Sequence, residues 1–273
     1  MNNAEIKRFL QNVGPTTPIW QQFKNPDNQS KLYRDTNGKL VGLLVFSVNN
    51  FHPHALGITG YARDPQLFPQ FLADATQEAV HRQKDRLVTW GYPPLSAFTD
   101  WLMTQGFTTW RQTVEPTVDL TAITLPDTPV EGTLTLTEVL AKPTVKQQLI
   151  TRSLANYRRV HQVNPMVETT LEEWAHVIFP GVLADAPLVL MRQQKIAAYT
   201  FVFEDTPDIM TLAWLGADDV ADLWQLQAAQ IAWARQRGMR QLAGEFDSTD
   251  ELAWATARQW PFEPAPVYTM IGK

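Results

Sequence analysis

The sequence contains no cysteine. This absence excludes disulfide bridges, thiolate metal ligands and a cysteine nucleophile. The chain also has no G-x-S-x-G segment, so a serine hydrolase is unsupported, and no G-x-G-x-x-G segment follows a predicted strand, so a dinucleotide-binding fold is unsupported. Any chemistry that the chain performs must therefore come from other residue types.

Long apolar runs and an excess of positive charge are missing as well. No stretch approaches the roughly 20 apolar residues of a membrane helix, and Met1–Leu10 lacks the apolar core of a signal peptide. The formal net charge is −5, without the clustered basic face that nucleic acid or an anionic membrane requires. We expect a cytoplasmic protein with no nucleic-acid or membrane partner; the oligomeric state is not predicted.

What the sequence does contain is a mixture of strand and helix patterns, which indicates an α/β (α+β) fold. Lys31–Arg34 and Lys39–Val48 read as strands separated by Thr36-Asn37-Gly38, and Asn-Gly between two such runs is a strong hairpin signal. Apolar residues spaced along one face predict a helix over Leu67–Gln83.

The second half of the chain repeats the element order of the first. A shift of 155 positions places matching elements in register without a gap. The matched pairs are Gly42 and Ala197, Leu72 and Gln227, Arg82 and Arg237, Leu87 and Leu242, and Phe107 and Phe262. We predict an N-terminal domain over 1–120, a Pro- and Gly-containing linker over 121–132 and a C-terminal domain over 133–273.

Two segments carry a resemblance to a known family. Ala232-Trp233-Ala234-Arg235-Gln236-Arg237-Gly238 resembles the alanine-rich, basic helix ending in glycine of the GNAT acyltransferases (acyl-CoA-dependent N-acetyltransferases). Gly106-Phe107 is similar to the Gly-Phe pair that follows the last helix of that family. The resemblance implies two tandem GNAT-like domains, each a mixed, mostly antiparallel sheet flanked by helices.

The resemblance also implies a co-substrate, acetyl-CoA or another acyl-CoA, and a small-molecule amine as acceptor. Its binding residues would lie on the fourth strand of the second domain and at the start of the last helix: Leu212, Ala213, Trp214, Leu215, Gly216, Ala217 and Asp250. Trp214 would wall an acceptor pocket or fill the cleft where the co-substrate lies, and Asp250 has a helix cap as its alternative role.

The phosphate-binding loop departs from the family pattern in both halves. The second half has Asp218, Asp219 and Asp222 where glycines would approach the phosphates, and these carboxylates are equally suited to cap the next helix. The first half offers Arg63 as a cation, but Pro65 and Pro69 remove N–H donors. Neither loop is a recognisable phosphate cradle.

Candidate acid and base residues are few. The position of the tyrosine that many family members use as a proton donor maps to Leu102 and Ala257. Glu245 and Asp247 are the candidate bases and Tyr268 the candidate acid, with surface carboxylates and an amphipathic packing residue as the alternatives.

Two functions remain open from the sequence. The first is an N-acyltransferase in which a primary amine attacks the thioester directly; the second is a non-catalytic GNAT-like module that binds a ligand or an unknown protein. We expect no metal, since His52 and His54 form a pair without a visible third ligand.

Overall fold

The computed structural model describes residues 3–11, 18–126 and 129–273, so residues 127 and 128 of the predicted linker lie outside it. The helices of the described chain are α1 (Asn3–Leu10), α2 (Pro18–Lys24), α3 (Phe68–His81), α4 (Ala97–Thr104), α5 (Leu136–Leu140), α6 (Pro143–Val160), α7 (Leu171–Ile178), α8 (Val220–Gln236) and α9 (Glu251–Gln259). The strands are β1 (Gln29–Arg34), β2 (Leu40–Val48), β3 (Ala55–Ala62), β4 (Arg86–Gly91), β5 (Thr108–Val114), β6 (Thr117–Asp119), β7 (Thr133–Thr135), β8 (Pro187–Arg192), β9 (Lys195–Thr206), β10 (Ile209–Ala217), β11 (Gln241–Gly244), β12 (Phe246–Asp247) and β13 (Val267–Gly272).

The chain folds into two compact units. The first unit comprises Met1–Arg111, Val163–Val167 and Tyr268–Lys273, and the second comprises Gln112–Gln162 and Glu168–Val267. Each unit therefore contains segments that are distant in sequence. The domain and linker boundaries derived from the sequence stay a prediction.

The sheet of the first unit runs in the order β1-β2-β3-β4-β13, followed by the first residues of β5. β1, β2 and β3 form antiparallel pairs, and the turn between β1 and β2 contains Gly38 at a φ of +77°. This confirms the predicted hairpin, because a positive φ is a conformation that glycine adopts readily. β3 and β4 pair in parallel over Ala55–Gly57 only.

Helices cover both faces of this sheet. On one face, Phe71 of α3 and Phe98 of α4 pack against Leu44 and Ile58 of the strands. On the other face, α1 packs against β2. Every second residue of a strand points to the same face, so the apolar residues of β2 serve both cores.

The sheet of the second unit runs in the order β6-β11-β10-β9-β8-β7. Only β10 and β11 are parallel to each other; the other neighbouring pairs are antiparallel. A parallel pair needs a crossover connection, which α8 provides. In the same unit, β12 pairs with Thr113 and Val114 at the end of β5.

Helices also flank this second sheet. Leu223, Leu226 and Ile231 of α8 pack with buried strand residues into one core. Helices α6 and α7 contact each other, and α6 contacts β9 and β10. Within the described residues, no helix has both the length and the apolar character that a membrane crossing requires.

The expected fold class is confirmed: two mixed, mostly antiparallel sheets are each flanked by helices. The bounds of five successive elements of the first unit, shifted by 155 positions, fall within about three residues of their counterparts in the second. The matched pairs are β2 with β9, β3 with β10, α3 with α8, β4 with β11 and α4 with α9. Helix α2 was not expected from the sequence.

Candidate active site

The two parallel strands of the second unit separate partway along their length. β10 pairs with β11 over Ile209–Leu212, after which β11 ends and β10 continues to Ala217. The register of β10 with β9 shifts between Ala213 and Leu215, and Trp214 between them has a φ of +32°. A positive φ is rare for a bulky residue, and a bulge bends its strand. The second part of β10 therefore has no neighbour strand on the β11 side among the described residues.

The predicted co-substrate residues lie along this strand, apart from Asp250. Leu212 and Leu215 are buried in the core that α8 covers. The ring of Trp214 packs against Trp174, Phe201 and Phe203, with centroid distances of 6.0, 5.9 and 5.9 Å. Trp214 is thus part of an aromatic cluster.

Four polar residues meet beside the diverging end of β10; we name Asn156, Arg159, Tyr199 and Asp250 the divergence cluster. Asn156 of α6 donates its amide N–H to the carbonyl of Leu215 (2.9 Å). The Oδ1 atom of Asn156 accepts a hydrogen bond from Nη2 of Arg159 (2.6 Å). The Asn156 side chain also hydrogen-bonds with the side chain of Tyr199. One amide therefore joins the helix, the diverging strand and two further side chains.

Tyr199 explains the one glycine of this strand. Tyr199 on β9 lies opposite Gly216 on β10, and a Cβ atom at Gly216 would meet the tyrosine ring at 2.5 Å. That distance is shorter than real Cβ contacts, so any side chain at this position would displace the ring. Gly216 makes room for Tyr199, which is a different role from approaching a phosphate.

Asp250 is the titratable carboxyl group of the cluster. It is 7% exposed and caps α9, its Oδ1 accepting from the N–H groups of Leu252 (3.0 Å) and Ala253 (3.5 Å). Burial raises the pKa of Asp250, and the two N–H donors and Arg159, 3.9 Å away, oppose that rise. Burial likewise raises the pKa of Tyr199. The cluster thus holds a carboxylate with increased proton affinity and a phenol that keeps its proton.

The start of α8 is occupied by the chain's own carboxylates. Only two residues separate β10 from α8, and Asp219 caps the helix by accepting from the N–H of Ala221 (2.9 Å). Asp218 pairs with Arg152 (2.8 Å). The capping interpretation of Asp219 is therefore confirmed. Because phosphates at a helix N-terminus need unoccupied N–H donors and no like charge, this segment does not suit a diphosphate.

The corresponding segment of the first unit does not suit a diphosphate either. The guanidinium of Arg63 lies over the ring of Phe9, 5.5 Å from its centroid. Asp64 accepts from the N–H of Gln66 (2.9 Å) and so caps the short 3₁₀ turn that precedes α3. The cation and the N–H group at this helix start both have partners from the chain itself.

Of the three candidate acid and base residues, Glu245 and Asp247 belong to the second unit and Tyr268 to the first. Glu245 is exposed between β11 and β12. Asp247 accepts from the hydroxyl of Thr113 (2.5 Å), and its charge contributes to the raised pKa of Asp250. Tyr268 belongs to the first unit, where its ring lies 5.3 Å from that of Tyr92.

Sequence reasoning missed three of the four residues in the divergence cluster. Asn156 and Arg159 lie on α6 and Tyr199 on β9, far in sequence from Asp250. Tyr199 stands within an apolar strand opposite Gly216, and a glycine facing a tyrosine across two predicted strands is the signal that would have suggested the contact.

The ring of His52, the first member of the histidine pair, lies against a backbone carbonyl. Nδ1 of His52 lies 2.7 Å from the backbone carbonyl of Asn164. Among the residues that the structure describes, no group of three His, Asp or Glu side chains is placed to hold a metal ion.

Comparison with solved structures identifies the fold. The chain is similar over its whole length to a GCN5-related N-acetyltransferase from Sphaerobacter thermophilus, with a TM-score of 0.55, 14% identity and 93% of that chain covered. It is also similar to a glucosamine N-acetyltransferase region of a fungal multi-domain β-N-acetylglucosaminidase (TM-score 0.54, 12% identity), which matches 99% of this chain and 37% of that one. No family model and no curated protein matches the sequence. The fold is that of the GNAT acyltransferases.

Proposed function

We propose that this chain is an N-acyltransferase that moves an acetyl or other acyl group from acyl-CoA to a primary amine. The divergence cluster beside β10 carries the proposal. The cluster holds a buried carboxyl group with raised pKa and a buried phenol. It lies beside the part of β10 that has no neighbour strand on the β11 side within the described chain. Titratable groups with perturbed pKa values occur preferentially at functional sites.

In the proposed reaction, the amine nitrogen attacks the thioester carbonyl carbon, a C–N bond forms and the C–S bond breaks. Asp250 accepts a proton from the attacking nitrogen, and its raised pKa makes it a better base than an exposed aspartate. Asp250 then passes this proton to the departing thiolate, while the buried phenol of Tyr199 keeps its own proton. The products are an amide and a thiol, and the side chains end as they began.

Recognition of the donor rests on its pantetheine arm and acyl group. The start of α8 presents Asp218 and Asp219, so the diphosphate of CoA contributes little affinity there. The arm would use the edge of β10, where the amide of Asn156 now bonds the Leu215 carbonyl. We expect acetyl-CoA and acetyl-pantetheine to bind with affinities within about tenfold of each other, a difference of about 1.4 kcal/mol.

A second candidate is a non-catalytic GNAT-fold module that binds a ligand or a protein. Two contacts favour it: Asp219 occupies the N–H of Ala221, and Asn156 occupies the carbonyl of Leu215. The chain's own side chains thus take hydrogen-bonding groups at both places where a donor would bind.

A titration distinguishes the two functions. Acetyl-CoA and acetyl-pantetheine are added separately while tryptophan fluorescence and thermal unfolding are followed. A ligand at 100 times its Kd stabilises the folded state by about 2.7 kcal/mol. Thiol release is then measured with a panel of primary amines. Binding together with amine-dependent thiol release supports the transferase, whereas no binding at millimolar concentration rejects it in favour of the module.

A further inference from the structure

The first unit contains a polar cavity of about 480 Å³. Ser47 of β2 and Trp90 of β4 lie in its wall. Ser47 continues the alternation of Leu43 and Val45, which pack with α1, so this wall belongs to the sheet face that α1 covers. A Cβ atom at Gly57 of β3 would meet both Ser47 Oγ and the Trp90 ring. All the residues that line the cavity belong to the first unit, and none belongs to the divergence cluster.

Neutral amide side chains make up most of the polar lining. They are Gln22, Asn25, Asn28, Asn49, Asn50 and Asn164. No Asp or Glu side chain is among the described residues that line the cavity. Arg111 and His52 also line it, and both already interact with other groups of the chain. Recognition in this cavity is therefore assigned to its neutral groups.

Two of these amides offer hydrogen-bonding groups of opposite kind. The Oδ1 atom of Asn164 is buried and accepts no hydrogen bond from the described residues. Asn49 uses its Oδ1 to accept from the N–H groups of Phe51 (2.9 Å) and His52 (3.2 Å), which leaves its amide N–H groups as donors. A hydroxyl group both donates and accepts, so it can pair with either amide.

The fold holds this lining in place. Nδ2 of Asn28 donates to Oε1 of Gln22 (2.8 Å) and to its backbone carbonyl (2.9 Å). The N–H of Val167 donates to the carbonyl of Phe51 (2.9 Å), which ties the segment of Asn164 to the loop after β2. A preformed wall lowers the ordering cost of binding.

We propose that this cavity binds a neutral sugar of monosaccharide size through its hydroxyl groups. One hydroxyl donates to Asn164 Oδ1, since a buried acceptor without a hydrogen bond destabilises the folded state until a ligand supplies the donor. Another hydroxyl accepts from the amide of Asn49, and the C–H groups of the sugar ring pack against the apolar indole of Trp90.

The size of the cavity agrees with this ligand class. Its volume lies in the range of sites for small molecules. A sugar presents several hydroxyls around one ring, which suits a wall of several amides better than a ligand with a single polar group does. This site goes beyond acyl transfer in the second unit and does not depend on it.

The test uses sugars that differ by single hydroxyl groups. Glucose, galactose, mannose and ribose are titrated by calorimetry at millimolar concentration, each beside its deoxy derivatives, and glucuronate is the charged comparison. We expect at least one neutral sugar to bind saturably and one of its deoxy derivatives to bind about tenfold more weakly, since a hydrogen bond is lost. If no neutral sugar binds, or if loss of any hydroxyl leaves the affinity unchanged, the proposal is wrong. Glucuronate binding more than about tenfold tighter than glucose would show recognition of charge and would also overturn it.

Three variants locate the site. Asn49→Asp keeps an oxygen for the N–H groups of the loop but removes the amide donors, and Asn164→Leu removes the buried acceptor. Each is expected to weaken sugar binding about tenfold. Asn37→Asp is the matched control with unchanged binding, because Asn37 belongs to the same unit but does not line the cavity. Asn49→Asp decides the matter should Asn164→Leu fail to fold, and wild-type sugar affinity in the Asn49→Asp protein would overturn the proposal.

Discussion

Asp250 combines a structural and a proposed catalytic role, and one substitution separates them. Its Oδ1 caps α9 through the N–H groups of Leu252 and Ala253. An asparagine retains this oxygen and is as good a cap as aspartate, but it has no charge and accepts no proton from an amine. Asp250→Asn therefore keeps the cap and removes the base.

Substitutions of Asp250 are expected to change the stability of the chain only slightly and the rate of acyl transfer strongly. Asp250→Ala loses the cap, which costs about 1 kcal/mol and lowers the unfolding temperature by about 2–4 °C. Asp250→Asn is expected to unfold at or above the wild-type temperature at pH 7, because burial of a charge no longer opposes folding. Loss of a general base lowers the rate of acyl transfer about 10²- to 10⁴-fold.

The pH dependence of stability gives an independent check on the charge. The pKa of Asp250 is raised in the folded state above its ordinary value of 3.8, so the folded chain binds this proton more tightly than the unfolded chain. The resulting stabilisation is complete below 3.8 and is lost as the pH rises through the folded pKa. The unfolding temperature of Asp250→Asn relative to wild type should thus increase across this window and then level off.

The assays are thiol release for activity and tryptophan fluorescence for unfolding. Asp64→Asn is the matched control, because Asp64 caps a turn in the first unit in the same way. Wild-type activity in Asp250→Asn would refute the base role. A loss of stability equal to that of Asp250→Ala would refute the reasoning that a neutral oxygen suffices for the cap.

Two further substitutions test contacts within the second unit by thermal unfolding. Gly216→Ala places a Cβ 2.5 Å from the ring of Tyr199 and is expected to lower the unfolding temperature. Gly91→Ala is the control, because its nearest contact would be at 3.7 Å. Equal unfolding temperatures for the two variants would contradict close packing between Gly216 and Tyr199. Thr170→Ala removes the hydroxyl that caps α7 and is expected to cost about 1 kcal/mol. An unchanged unfolding temperature would mean that this cap does not limit stability.

Much of the fold was predictable because its signals are local. The segment Thr36-Asn37-Gly38 predicted a hairpin, and the structure has β1 and β2 with Gly38 at a positive φ between them. The helix expected over Leu67–Gln83 is α3, preceded by a short 3₁₀ turn. Apolar spacing and turn chemistry depend on neighbours along the chain, so they can be read from one sequence.

The pairing of β13 could not be read in the same way. Apolar alternation predicted a strand near Val267–Ile271, and the structure has it at Val267–Gly272. Its partner is β4, more than 170 residues earlier in the chain. A strand pattern specifies which residues share a face but not which strand lies beside it. Tyr268 consequently lies in a different unit from Glu245 and Asp247.

The divergence cluster was only partly predictable for a related reason. Asp250 was accessible from the resemblance, since it stands at the start of the last helix. Asn156 reaches the Leu215 carbonyl from α6, and that contact depends on how a helix packs on a sheet. No periodicity in α6 distinguishes Asn156 from the other polar residues of the helix, so its role required the structure.

The two units differ in the residues that lie beside their diverging strands, and this difference supports placing the proposed acyl transfer in the second unit. In the first unit, β3 and β4 pair over three residues, and a Cβ atom at Gly60 on the following part of β3 would meet the rings of Phe98 and Phe71. Apolar rings there offer no group that can accept or donate a proton. In the second unit, Asn156, Tyr199 and Asp250 lie beside the corresponding strand, β10. A buried polar group destabilises the folded state unless it is hydrogen-bonded, whereas the apolar rings of the first unit can be buried without that cost. The proposed acyl transfer is therefore placed in the second unit, where such groups are available.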